Sequence, residues 1–122
     1  MQGGCFCAKI RYEIADGEYL VVNCHCSICR KTSAAPFVSW ITVPQEAFSY
    51  LTGTPELLQS SAKGSRHFCS DCGTPLTFIT TERPTEIDIT TGSLDNPEDA
   101  IPSIDIHEES RLNWLKLEPH TR

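Results

Sequence analysis

The stretch "FCSDCGTPL", Phe68–Leu76, carries Cys69 and Cys72 with two residues between them and Gly73 directly behind. A tight turn that aims two thiolates at one point exits best through glycine, which takes a positive φ at little cost; this is the form of a zinc knuckle. One knuckle supplies half of a tetrahedral site. Cys5-x-Cys7, at the start of an alternating run, is a good candidate for the other half. Such a four-thiolate site would tie the first strand to the "RHFC" strand across a long stretch of chain. Structural zinc in small domains has apparent binding energies of about 10–16 kcal/mol, enough to drive folding.

Three cysteines remain, Cys24, Cys26 and Cys29, all in "NCHCSICRK", Asn23–Lys31. Three protein ligands with a fourth position left for water or substrate is the usual pattern of catalytic zinc. Spacing alone leaves other partitions open. Cys26-x-x-Cys29 could be a second knuckle with Cys24 left over, or a histidine could close the second site. His25 stands between two candidate ligands and would point away from them in extended chain. His67 suits a strand surface or a place behind the ligands. A redox dithiol lacks the βαβ context that would support it, and a Cys/His nucleophilic pair has nothing beyond composition in its favour.

The bulk properties narrow the classes. A chain of 122 residues is read as one domain, residues 1–122. Its seven cysteines cannot all pair with one another, and the two Cys-x-Cys spacings would make awkwardly tight disulfide rings. The opening residues show no basic stretch leading into an apolar one, and no apolar run approaches the length of a membrane span. A cytoplasmic protein with no membrane partner is therefore expected, and in a reducing compartment clustered cysteines bind metal more often than they frame a fold. The formal charge of -6 disfavours nucleic acid as a partner. An anionic ligand would need local cations, and Arg30 and Lys31 directly follow Cys29.

Alternation places Ala8, Ile10, Tyr12 and Ile14 on one face of a half-buried strand. "ADG" then turns into "EYLVVNC", which predicts a hairpin of the first two strands. "SICRKTS" suits a single helical turn capped by Ser27 and carrying Cys29. Further strands are predicted at "PFVSWITV", "AFSYLTG", "ELLQSS", "RHFC", "PLTFITT" and "TEIDITTGS". Trp40 and Trp114 are read as packed aromatics, "GSLDNP" as turn chemistry, and Arg66 and Asp71 as surface residues.

The set "GGCFC", "RYE", "CHCSICRK", "FCSDCGTPL" and "GSLDNP" resembles the glutathione-dependent formaldehyde-activating (GFA) family, from Gly3 to Pro97 and across every cysteine. The family's usual glycine after the second cysteine is Ala8 here. The resemblance implies a mainly β, single-domain zinc-bearing β-tent fold of stacked antiparallel sheets with little helix. It implies two Zn2+ sites: Cys5, Cys7, Cys69 and Cys72 around a structural ion, and Cys24, Cys26 and Cys29 around a second, open to partial occupancy.

The implied activity is that of a carbon-sulfur lyase of the S-(hydroxymethyl)glutathione synthase type. A glutathione-like thiol adds to formaldehyde or a related aldehyde to form an S-hydroxymethyl adduct. Three anionic sulfurs damp the Lewis acidity of a metal, so delivery of the thiol as thiolate is favoured over carbonyl activation. Arg30 and Lys31 are the expected contacts for substrate carboxylates, and His25 is a lesser candidate for relaying a proton. The alternative is a non-catalytic, zinc-stabilised module binding a protein or thiol metabolite. The sequence sets no oligomeric state.

Overall fold

The computed structural model describes residues 1–120; residues 121 and 122 of the expected domain lie outside the description. Among the described residues ten strands follow in order: β1 (Gln2–Gly4), β2 (Arg11–Ile14), β3 (Leu20–Cys24), β4 (Val38–Pro44), β5 (Phe48–Thr52), β6 (Glu56–Gln59), β7 (Gly64–Phe68), β8 (Pro75–Thr80), β9 (Glu86–Thr90) and β10 (Ile104–Ile106). One α-helix, α1 (Ser27–Ser33), and short 3-10 turns complete the fold. The strands form a three-stranded sheet, β1-β2-β5, and a seven-stranded sheet, β10-β3-β4-β9-β8-β7-β6. The protein is mainly β with little helix, as the sequence predicts. Among the described residues no helix is long and apolar enough to cross a membrane.

Two expectations about connection are corrected. β2 and β3 do not form a hairpin. Both edges of β2 are occupied within its own sheet, by β1 and β5, so the turn at Asp16–Gly17 carries the chain across to the other sheet. The sheets are also not wholly antiparallel, because β10 runs parallel to β3, Ile104 against Val22 and Ile106 against Cys24. A parallel partner requires a long crossover, and here it is most of the chain.

Period-two alternation sorts the large sheet into two faces. Val21, Ile41, Val43, Ile87 and Ile89 point toward the small sheet and form the main core with Tyr12, Ile14 and Leu76. Val22, Cys24 and Trp40 point the other way and pack with Cys29, Phe78 and Ile106 in a second cluster. Ile10, Tyr12 and Ile14 are buried as predicted. Ala8 is not on that face: it is exposed, at φ 66, in the turn before β2.

Trp40 is packed as expected, but Trp114 is 66% exposed, in the segment beyond the last strand. Helix α1 is longer than the single turn predicted, and its N-cap is Cys26 with no side-chain cap, so Ser27 is its first residue and not its cap.

Tyr12 is fully buried and shares a 2.7 Å hydrogen bond with the Ser93 hydroxyl, which anchors β2 to the turn after β9. A Cβ at Gly3 would overlap the Tyr12 ring and approach the Ser93 carbonyl oxygen at 2.6 Å. Neither neighbour can retreat cheaply. Gly3→Ala is expected to cost about 1–3 kcal/mol through overpacking, read by urea denaturation.

Candidate metal centre and adjoining cavity

The four cysteines of the first predicted site meet in space. The sulfurs of Cys5, Cys7, Cys69 and Cys72 all lie within 4.8 Å of one another. Cys5 and Cys7 are 3.5 Å apart and Cys7 and Cys69 3.7 Å. Four thiolates about 2.3 Å from a tetrahedral zinc stand about 3.8 Å from each other, so this donor set fits the ion.

Two turns hold the sulfurs. Gly73, at φ 83, donates its N–H to the Cys69 carbonyl at 2.7 Å, and Ala8, at φ 66, donates to the Cys5 carbonyl at 3.0 Å. A register shift between His67 and Phe68 swings the end of β7 into the first of them. The Thr74 hydroxyl joins them, accepting from the Phe6 N–H at 3.0 Å and contacting Cys72 Sγ at 3.2 Å.

Thr74 also holds the Cys72 thiol down to about 5. Cys7 moves the other way, to about 12: the Lys9 N–H lowers it, but desolvation and the three neighbouring sulfurs together outweigh that. Like charges this close do not all ionise unaided, and a divalent cation removes the conflict.

The second set is placed differently. Cys24, at the end of β3, donates to Cys29 Sγ at 3.5 Å, and both are buried. Cys26, half-buried at the N-cap of α1, lines the same cavity. Among the described residues its sulfur does not join the other two within the spacing that unites the first set. The Cys24 S–H, and after it the Arg66 guanidinium, hold the Cys29 thiol down to about 5, while the same contact and burial push Cys24 up.

The cavity holding these three cysteines measures about 360 Å³ and lies on the outer face of the large sheet. Val22, Trp40, Phe78, Ile28 and Ile106 give it apolar walls; Arg66, Arg83, Glu86 and Asp88 supply charge. Arg83 is committed to Asp88, at 2.7 Å, and to Glu86, at 3.2 Å.

Arg66, expected at the surface, is only 8% exposed. It donates to Ser60 Oγ at 2.9 Å and to Cys29 Sγ at 3.5 Å, with its guanidinium 4.7 Å from the Phe78 ring centre. The alternation of "GSRHF" in β7 could have flagged it, since Gly64 and Arg66 share a buried face. Arg residues are so rarely buried that composition argues the other way.

Arg30 and Lys31 lie outside this cavity. They border a shallow hollow on the outer side of α1 together with Leu112, and Arg30 donates to the Ser110 carbonyl at 3.0 Å. His25 is fully buried, as a residue pointing away from its neighbours should be. Its Nε2 meets Asp105 at 2.9 Å, and Asp105 in turn meets His120 at 2.7 Å. It therefore secures β10 to β3 and does not line the cavity. His67 is half-buried, and burial lowers its pKa. Asp71 is exposed and pairs with Lys9 at 2.8 Å, as a surface residue would.

A mainly β domain of two sheets, pinned by a four-cysteine cluster and bearing a second cysteine group in a cavity, is the class that fold and site define. The glutathione-dependent formaldehyde-activating enzyme family model matches residues 1–110, and the chain belongs to that family. A Halomonas elongata protein whose name provisionally assigns it to glutathione-dependent formaldehyde activation is 24% identical, over 97% of this chain and 81% of its own length. An uncharacterised lyase of Schizosaccharomyces pombe is 30% identical over 66% of this chain and 58% of its own length. The crystal structure of a Rhodobacter sphaeroides protein superposes with a TM-score of 0.70 at 22% identity, covering 86% of this chain and 99% of that one, and so shares the fold.

The four-cysteine cluster links chain positions 62 residues apart. Cys69→Ser is expected to lower the denaturation midpoint sharply and to remove one equivalent of bound zinc, measured by urea melts and metal analysis of the same samples. Ala8→Gly should act in the opposite sense. Relief of a left-handed alanine is expected to add about 1 kcal/mol of stability, seen as a higher urea midpoint at unchanged zinc content.

Proposed function

We propose that the chain catalyses the reversible addition of a thiol of the glutathione kind to formaldehyde or a related small aldehyde, a carbon-sulfur lyase reaction read in the forming direction. Family membership and the name of the Halomonas relative support the substrates. The observation that carries the reading to particular residues is the cavity that brings Cys24, Cys26 and Cys29 together with a buried guanidinium.

Cys5, Cys7, Cys69 and Cys72 would hold the structural zinc. Cys24, Cys26 and Cys29 would hold a second, supported by the 3.5 Å spacing of two of them and the cavity shared by all three. When bound there, zinc would keep a thiol ionised at neutral pH.

In the reaction the thiol sulfur bonds to the aldehyde carbon, the carbon-oxygen π bond breaks, and the proton lost by the thiol ends on the new hydroxyl. The chain contributes a walled, largely apolar space that keeps bulk water off the reacting atoms, with Trp40 and Phe78 on one side and Ile106 on the other. Arg66 offsets the negative charge gathered by the cysteines. His25, engaged with Asp105, is not offered for proton relay; the reading leaves that step to solvent at the cavity mouth. A cytoplasmic setting, where thiols stay reduced, suits the free state of all seven cysteines.

The test is adduct exchange between glutathione and formaldehyde followed by NMR. Zinc-loaded protein should exceed the spontaneous rate, and Cys26→Ser should return it to that rate while the melting curve stays close to wild type. A non-catalytic binding module would bind the thiol in the same cavity and leave the exchange rate unchanged.

A further inference from the structure

A guanidinium that loses its water needs anions or acceptors to replace it, and a buried one without them is costly. Arg66 is nine-tenths buried, yet among the described residues no carboxylate lies within ion-pair distance of it. Of its five N–H donors, Nε–H is used by Ser60 and one on Nη2 by Cys29. Among the described residues Nη1 has no protein acceptor, and it is not sealed from the cavity space. The side chain is nonetheless held in place, stacked on Phe78 and fixed by Ser60. A fork that is rigid, charged and half unused is preorganised for a planar anion.

The other cations near the site are committed elsewhere. Arg83, on the same wall, is neutralised by Asp88 and Glu86. Arg30 is tied to the Ser110 carbonyl, and Lys31 lies with it outside the cavity. Arg66 stands 3.5 Å from Cys29 Sγ, so an anion on its free edge and a sulfur bound among the three cysteines would lie near enough to belong to one ligand.

We propose that Arg66 is the anion anchor of this cavity, receiving on its free guanidinium edge a carboxylate carried by the incoming thiol. The inference rests on the proposed thiol chemistry at Cys24, Cys26 and Cys29. It adds a requirement for a carboxylate on the thiol and moves the anion contact from Arg30 and Lys31 to Arg66.

Two small thiols that differ at one end test it: mercaptoacetate, with a carboxylate, and 2-mercaptoethanol, with a hydroxyl. Each is titrated calorimetrically into zinc-loaded wild type, Arg66→Gln and Arg66→Lys, with zinc content checked afterwards. Wild type should bind mercaptoacetate about 10- to 100-fold more tightly, the span expected of hydrogen bonds to a charged group. Arg66→Gln should erase that preference chiefly by weakening mercaptoacetate, and Arg66→Lys should restore part of it.

Equal affinity of wild type for the two thiols would overturn the anchor while leaving the thiol reading intact, and it requires no variant to fold. Equal weakening of both thiols in Arg66→Gln would also overturn it, by showing that Arg66 serves the cysteines alone. If neither thiol bound wild type, the proposed function would fall first and the anchor with it.

Discussion

The convergence of Cys5, Cys7, Cys69 and Cys72 is the constraint on which the rest of the structure depends. One pair sits in the loop between β1 and β2 of the small sheet, the other in the turn between β7 and β8 of the large one, and their sulfurs meet within 4.8 Å. A small domain with ten short strands buries limited apolar area. A metal at this junction would fix the relative placement of the two sheets, at the place where Cys5 and Cys69 join the main core of Tyr12, Ile41 and Ile89. A zinc ion there would let all four thiols ionise together, its charge offsetting part of their mutual repulsion.

Once the sheets are fixed, alternation along the strands does the rest. In β9, Ile87 and Ile89 enter the main core while Asp88, between them, faces the cavity; in β4, Ile41 and Val43 go inward while Trp40 goes outward. Cys24 follows the same rule at the end of β3, and Cys29 meets it from the first turn of α1. The structural and proposed reactive cysteines thus stand in different places, the first at a junction between sheets and the second on the outer face of one.

Much of this was legible in the sequence because it is local. The knuckle at Cys69–Gly73 requires a particular turn, and the positive φ of Gly73 follows from it. The first long strand followed from alternation, and most of the others from β-rich runs set off by Gly, Pro and Thr. The pairing of Cys5 and Cys7 with that knuckle was legible as a count of ligands.

What escaped were pairings decided at long range. The β2–β3 hairpin looked right locally, but β2 finds β5 across a long loop. The parallel docking of β10 depends on Asp105 meeting His25, contacts between residues 80 positions apart. Arg66 was read as a surface cation because its residue type outweighed the alternation of β7, and the Phe78 and Cys29 that enclose it lie 12 and 37 positions away. Arg30 and Lys31 were singled out by adjacency to Cys29, whereas helix α1 turns them toward its outer side.

The proposed function requires the seven cysteines to form two metal centres of different kinds, one closed and one with a position left for substrate. X-ray absorption at the zinc edge of the purified protein, with metal content determined on the same sample, tests this most directly. The account requires two zinc ions per chain, one with four sulfurs and the other with three sulfurs and one oxygen or nitrogen that exchanges for sulfur on adding a thiol. A single zinc with four sulfurs, unchanged by excess zinc or by thiol, would contradict it.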